Sequence, residues 1–140
     1  MLDDLVTQIE ASSLYELRGA PHDLDRLGAV LTGGRPYLGR VIRVERGWWQ
    51  RATAHRALLL IEGVGTEGDF DRGPDIAVED LSMSFVSLLL AGPHAARLAT
   101  SGVAGIARPV MTVCDGSDRW RLVVPVADAA AARVALLSAA

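Results

Sequence analysis

The chain has 140 residues, half of them apolar, and a formal net charge of −3. That length fits one domain, 1–140, with a core of its own, and the charge excludes a general nucleic-acid binder, which needs a basic excess to neutralise phosphates. The single cysteine, Cys114, excludes an internal disulfide framework and fits a reducing compartment. Met1-Leu2-Asp3-Asp4 carries acids where a secretory leader carries positive charge, and apolar runs such as Val86 to Ala91 are too short to span a bilayer. The sequence therefore reads as cytoplasmic, with no membrane insertion. Every Lys/Arg-type residue is Arg, a planar donor suited to carboxylate and phosphate groups.

Leu2, Leu5 and Ile9 are spaced for one face of a short N-terminal helical arm. Leu14-Tyr15-Glu16-Leu17-Arg18 alternates as a half-buried strand. Pro21 suits the first position of a helix, Asp23 its first turn, and Leu24, Leu27 and Leu31 its buried face, with Gly33-Gly34 as the stop. Leu38 to Glu45 is the next strand, which Gly47-Trp48-Trp49 interrupts. Ala57-Leu58-Leu59-Leu60-Ile61 predicts a strand covered on both faces. Residues 63–77 form a Gly- and Asp-rich surface loop. Phe85 to Ala91 is a buried strand, His94 to Thr100 a short helix, and Val110 to Cys114 and Trp120 to Val126 a hairpin joined through Asp115-Gly116. Asp128 then caps an Ala- and Leu-rich helix.

One order of events occurs twice. Leu17-Arg18-Gly19-Ala20-Pro21-His22 leads to Arg26-Leu27, and Leu90-Ala91-Gly92-Pro93-His94 leads to Arg97-Leu98. Each set is a strand, a break, Pro-His, a helix and then two strands. The expected fold is α+β: two pseudo-repeated split β-α-β, ferredoxin-like halves, 13–62 and 78–140, each an antiparallel sheet with its helices on one face.

Few residues offer chemistry of their own. His22 and His94 open the two helices without the neighbours of a metal site, and His55 reads as a surface residue. Cys114 lacks a nearby cation to stabilise a thiolate and reads as a buried apolar residue. Asp80 before Ser82 fits a side chain bonding backbone N–H groups at a strand entry. The spelling G-x-G-x-x-G at Gly63 to Gly68 follows a strand but opens no helix, and acids surround it, so it is no dinucleotide site. Trp48 and Trp49 with Arg46 and Arg51 form the candidate partner interface, because Trp and Arg dominate hot spots. Neighbouring strand positions face opposite ways, so one Trp can enter the core and the other face outward; packing of both on their own domain is the alternative.

Asp80-Leu81-Ser82 with Gly92-Pro93-His94-Ala95-Ala96-Arg97-Leu98, followed by Trp120-Arg121-Leu122-Val123-Val124-Pro125, resembles the glycine-cleavage aminomethyltransferase fold. It is closer still to the gamma subunit of heterotetrameric sarcosine oxidase. The resemblance covers roughly residues 78–138, and Met83 stands where the family pattern has His. It implies a non-catalytic accessory subunit of an amine-demethylating flavoenzyme complex. Its partner would be a large flavoprotein-type subunit, with flavin, NAD and folate on partner subunits and no cofactor or metal on this chain. Within that pattern the candidate ligand-binding residues are Asp80, Ser82, His94 and Arg97. Two other readings stay open: a stand-alone small-molecule or folate-binding protein of this fold, and a small enzyme using Asp80 or His94.

Overall fold

The computed structural model describes residues 5–9, 12–34, 38–63, 73–101, 109–116 and 118–139. The chain divides into two compact units, Ala11–Ser82, and Met1–Glu10 with Met83–Ala140.

The unit Ala11–Ser82 runs β2 (Ser12–Arg18), α1 (Pro21–Thr32), β3 (Val41–Val44), β4 (Gly47–Thr53), β5 (Arg56–Glu62) and β6 (Ala77–Asp80). Its strands form one antiparallel sheet in the order β3-β4-β5-β2-β6. Alternation decides which side chains meet α1. Tyr15 and Leu17 of β2, Trp49 of β4, and Ala57, Leu59 and Ile61 of β5 bury against Leu24 and Leu27 of the helix. Pro21 takes the first helical turn, where its missing N–H is no loss. Gly33 ends the helix at φ 72°, and its N–H bonds to the Ala29 carbonyl.

The tight turn lies at Glu45-Arg46, between the paired residues Val44 and Gly47, so Gly47-Trp48-Trp49 opens β4 rather than interrupting a strand. Trp favours the pleated sheet. Gly47 is required by close approach: a Cβ there would stand 1.8 Å from the Leu60 carbonyl oxygen. β5 is covered on both faces, as its unbroken apolar run predicts.

The second unit contains β1 (Leu5–Ile9), β7 (Phe85–Ala91), α2 (Ala95–Ser101), β8 (Met111–Cys114), β9 (Arg119–Pro125), a 3-10 turn at Val126–Asp128, and α3 (Ala129–Ala139). Its antiparallel sheet has the order β1-β7-β9-β8. Leu88 and Leu90, with Leu122 and Val124, bury against Ala95 and Leu98 of α2 and Ala129, Ala132 and Leu136 of α3. Asp128 lies in the 3-10 turn that leads into α3.

Residues 5–9 form a strand, not the helical arm that their spacing suggests. Val6, Thr7 and Ile9 are β-branched, and pairing with β7 satisfies backbone groups that so short a helix would leave open.

The two units repeat one design, as the α+β expectation holds. Tyr15 and Leu17 correspond to Leu88 and Leu90, Leu24 and Leu27 to Ala95 and Leu98, and Leu59 and Ile61 to Leu122 and Val124. The strand-to-helix junction is shorter in the second unit, where Gly92-Pro93 stands for Gly19-Ala20-Pro21. Each sheet takes its outer strand from the segment that precedes the other half: β6 pairs with β2, and β1 pairs with β7. β3 belongs to the first unit and α3 to the second.

Candidate functional site

Asp80 and Ser82 are placed together and bond to backbone. The Asp80 Oδ1 accepts the Ser82 N–H at 2.9 Å, and the Ser82 Oγ accepts the Leu14 N–H at 3.0 Å. With the Leu81 N–H on the Leu14 carbonyl, the turn after β6 is tied to the start of β2. His94 and Arg97 are exposed residues of the other unit, at the start and middle of α2. Met83 is also exposed. His22 lies beside Asp23 on α1, its Nε2 3.4 Å from Oδ1. Among the described residues, no group of three or more His, Cys, Asp or Glu is close enough to hold a metal ion. Of the loop 63–77, residues 64–72 lie outside the described set, so the G-x-G-x-x-G spelling does too.

The Trp and Arg group is buried apart from Arg46, in keeping with the alternative that both Trp side chains pack on their own domain. Trp48 and Trp49 are only 3% and 0% exposed. Both faces of this sheet are buried at β4, so strand alternation sends neither indole into solvent. The Arg43 guanidinium caps the Trp48 ring at 4.5 Å. Arg51 is 5% exposed and acts as a clamp. Its Nε donates to the Thr53 carbonyl at 2.9 Å and its Nη2 to the Ala54 carbonyl at 2.6 Å and the Pro21 carbonyl at 3.4 Å. Its Nη1 meets Asp25 Oδ1 at 2.5 Å. A β-bulge between Arg51 and Thr53 turns this side chain toward the start of α1. Arg46 is the exposed member of the group.

Arg46 instead borders a cleft of about 260 Å³. Leu31, Val44, Leu59 and Ile61 supply its apolar lining, Val30 extends it along α1, and Glu45 and Arg46 supply its charges. Strand parity places Leu59 and Ile61 here, beside Val30 and Leu31 in the last turn of α1. Such a cleft takes one aliphatic group or a small ligand with an apolar body.

A second cluster escapes sequence reasoning. Glu16 is a buried carboxylate at the end of β2, flanked by Arg18 Nε at 2.5 Å and Arg56 Nε at 2.7 Å. Burial alone would raise the Glu16 carboxyl, but hydrogen bonds and charge from Arg56, then Arg18, outweigh it and hold the group below its ordinary value of 4.5. The alternation of residues 14–18 puts Glu16 and Arg18 on one face. Arg56 joins them only through the β2–β5 register, which pairs Arg18 with Arg56.

Cys114 is exposed, not buried, and its Sγ lies 3.2 Å from the Gly116 carbonyl. Met111 and Val113 take the inward positions of β8 and leave Cys114 on the outward one. Among the described residues, no helix is long and apolar enough to cross a membrane.

No protein-family model matches the chain, and no curated protein matches it. Solved structures do. A chain of the heterotetrameric sarcosine oxidase from Corynebacterium sp. U-96 superposes with a TM-score of 0.71 at 19% identity, covering 97% of this chain and 83% of that one. The glycine cleavage system aminomethyltransferase T from Bartonella henselae gives a TM-score of 0.63 at 20% identity, covering 96% of this chain and 45% of that one. A putative C-terminal regulatory domain of aspartate kinase from Porphyromonas gingivalis W83 gives 0.52 at 14% identity, with coverage of 96% and 95%. The chain therefore has the two-half α+β fold found in a chain of heterotetrameric sarcosine oxidase and in aminomethyltransferase T.

Proposed function

We propose that this chain is a non-catalytic accessory subunit of a cytoplasmic, amine-demethylating flavoenzyme complex, in which flavin, NAD and folate sit on partner subunits and none on this chain. One observation carries the reading. The likeness to a chain of a heterotetrameric oxidase runs over nearly the whole of both chains, whereas the chain spans less than half of the aminomethyltransferase. The local chemistry points the same way. Asp80, Ser82 and Arg51 direct their hydrogen bonds to backbone and to Asp25. The cleft, at about 260 Å³, falls below the 300–1,000 Å³ usual for small-molecule sites, so it suits a partner's aliphatic side chain better than a folate.

The test is purification of a tagged chain from its native cells. The reading expects a large flavin-containing protein to co-elute in fixed ratio and to oxidise a secondary or tertiary N-methyl amine. A tagged chain that elutes with no flavoprotein refutes it.

A further inference from the structure

We propose that Arg18 and Arg56 form a binding site for a carboxylate group, held ready by the buried Glu16. Three observations carry the assignment, and none depends on the chain being a subunit.

The first is geometry. Both guanidinium groups touch Glu16 through Nε, so the side-on edge of each faces Glu16 and the end-on Nη1/Nη2 edge is turned away from that contact. No other acceptor among the described residues engages either Arg. Their side chains are 66% and 36% exposed, against 5% for Glu16. Two planar forks are thus fixed at one end beside open solvent, the arrangement that recognises a carboxylate.

The second is charge. Arg18 and Arg56 stand directly opposite each other on paired strands, where like charges repel. Glu16 neutralises one of the two. Glu79, opposite Glu16 on β6, is a further carboxylate on the same face but contacts neither Arg, so the second guanidinium is left without a carboxylate beyond the shared Glu16.

The third is the repeat. The second unit builds the same strand end with Leu89 and Ala91 at the positions of Glu16 and Arg18. The fold therefore does not require the cluster. Pairs between a carboxylate and partly exposed Arg side chains contribute little stability, so the cluster's stabilising effect on the fold is small.

The ligand's carboxylate can belong to a free small acid or to an acidic side chain of another protein. The experiment is a titration of the isotopically labelled full chain, read at the arginine Nε–H signals by NMR. The probes are sodium succinate and an N-acetylated, C-amidated Gly-Glu-Gly peptide, each against sodium chloride at matched ionic strength. Saturable shifts of the Arg18 and Arg56 signals with either probe, absent with chloride, support the site. A tighter response to succinate points to a free acid, and an equal one to a side chain. Arg18→Gln should weaken binding about tenfold, the loss of one charge-assisted fork, while Arg119→Gln leaves it unchanged. Arg18 is largely exposed, so its variant keeps the test valid if Arg56→Gln fails to fold. Shifts that follow ionic strength alone, or unchanged binding by Arg18→Gln, overturn the proposal.

Discussion

Replacing Arg51 by Met tests whether this residue serves the fold or a partner. The guanidinium is buried and makes two short bonds to the Thr53 and Ala54 carbonyls, at 2.9 and 2.6 Å. A hydrogen bond to a charged group contributes roughly 1.5–3 kcal/mol. The Pro21 contact, at 3.4 Å, is long enough to count as nothing. Asp25 is 66% exposed, so solvent screens that ion pair to at most about 1 kcal/mol. Met keeps most of the packing of the aliphatic stem. Arg51→Met should therefore lose about 3 kcal/mol. With a urea slope of about 2 kcal/mol/M, the midpoint falls by about 1.5 M. Arg51→Lys should lose nearly as much, because an ammonium does not reproduce the fork. Asp25→Asn should lose under about 1 kcal/mol. Trp48 and Trp49 lie in the same strand and Trp120 lies in the other unit, so tryptophan fluorescence in a Trp120→Phe background reads this unit's unfolding. The reasoning fails if Arg51→Met shifts stability by less than about 0.5 kcal/mol, or if Asp25→Asn costs as much as Arg51→Met.

Other consequences follow from the same structure. The depressed Glu16 carboxyl favours the unfolded chain as proton acceptor, so its contribution is complete above pH 4.5 and fades as pH falls through the lower folded value. Glu16→Gln should flatten that part of the stability–pH curve, and an unchanged acid limb would count against the ion-pair assignment. Ala in place of Gly47 must displace the Leu60 carbonyl and should cost about 3 kcal/mol or more. At Gly33, where the surroundings are open and only φ is unfavourable, Ala should cost about 1 kcal/mol. Equal costs in thermal melts would contradict this. Leu27→Ala and Leu98→Ala occupy equivalent core positions, and each should lose about 3 kcal/mol by urea denaturation. A loss at one site alone would break the equivalence of the two halves.

Elements with strong local signals were legible in the sequence. Pro21 and Gly33 frame α1, and the buried run of β5 reads directly from residues 57–61. The duplication was visible because the two Pro-His junctions sit at the same point in each half. What sequence could not supply was pairing. Residues 5–9 become a strand because β7 offers them an edge, a fact held by a segment far along the chain. Alternation suggests one of Trp48 and Trp49 outside, whereas this sheet is buried on both faces at β4. Cys114 fell on the outward parity of β8, which depends on where that strand starts. The Glu16 cluster needed the register between β2 and β5, and the cleft needed the end of α1 set beside β3 and β5. Asp80 and Ser82 were legible as a turn, since their bonds are local apart from the tie to Leu14.

The accessory-subunit reading meets its most direct test in the size of the native, untagged particle. Cell extract is fractionated by size, and the chain is followed by antibody alongside flavin fluorescence. The account expects this polypeptide only in a large fraction that also carries flavin. Its migration at the mass of one or two copies, apart from all flavin, would contradict it.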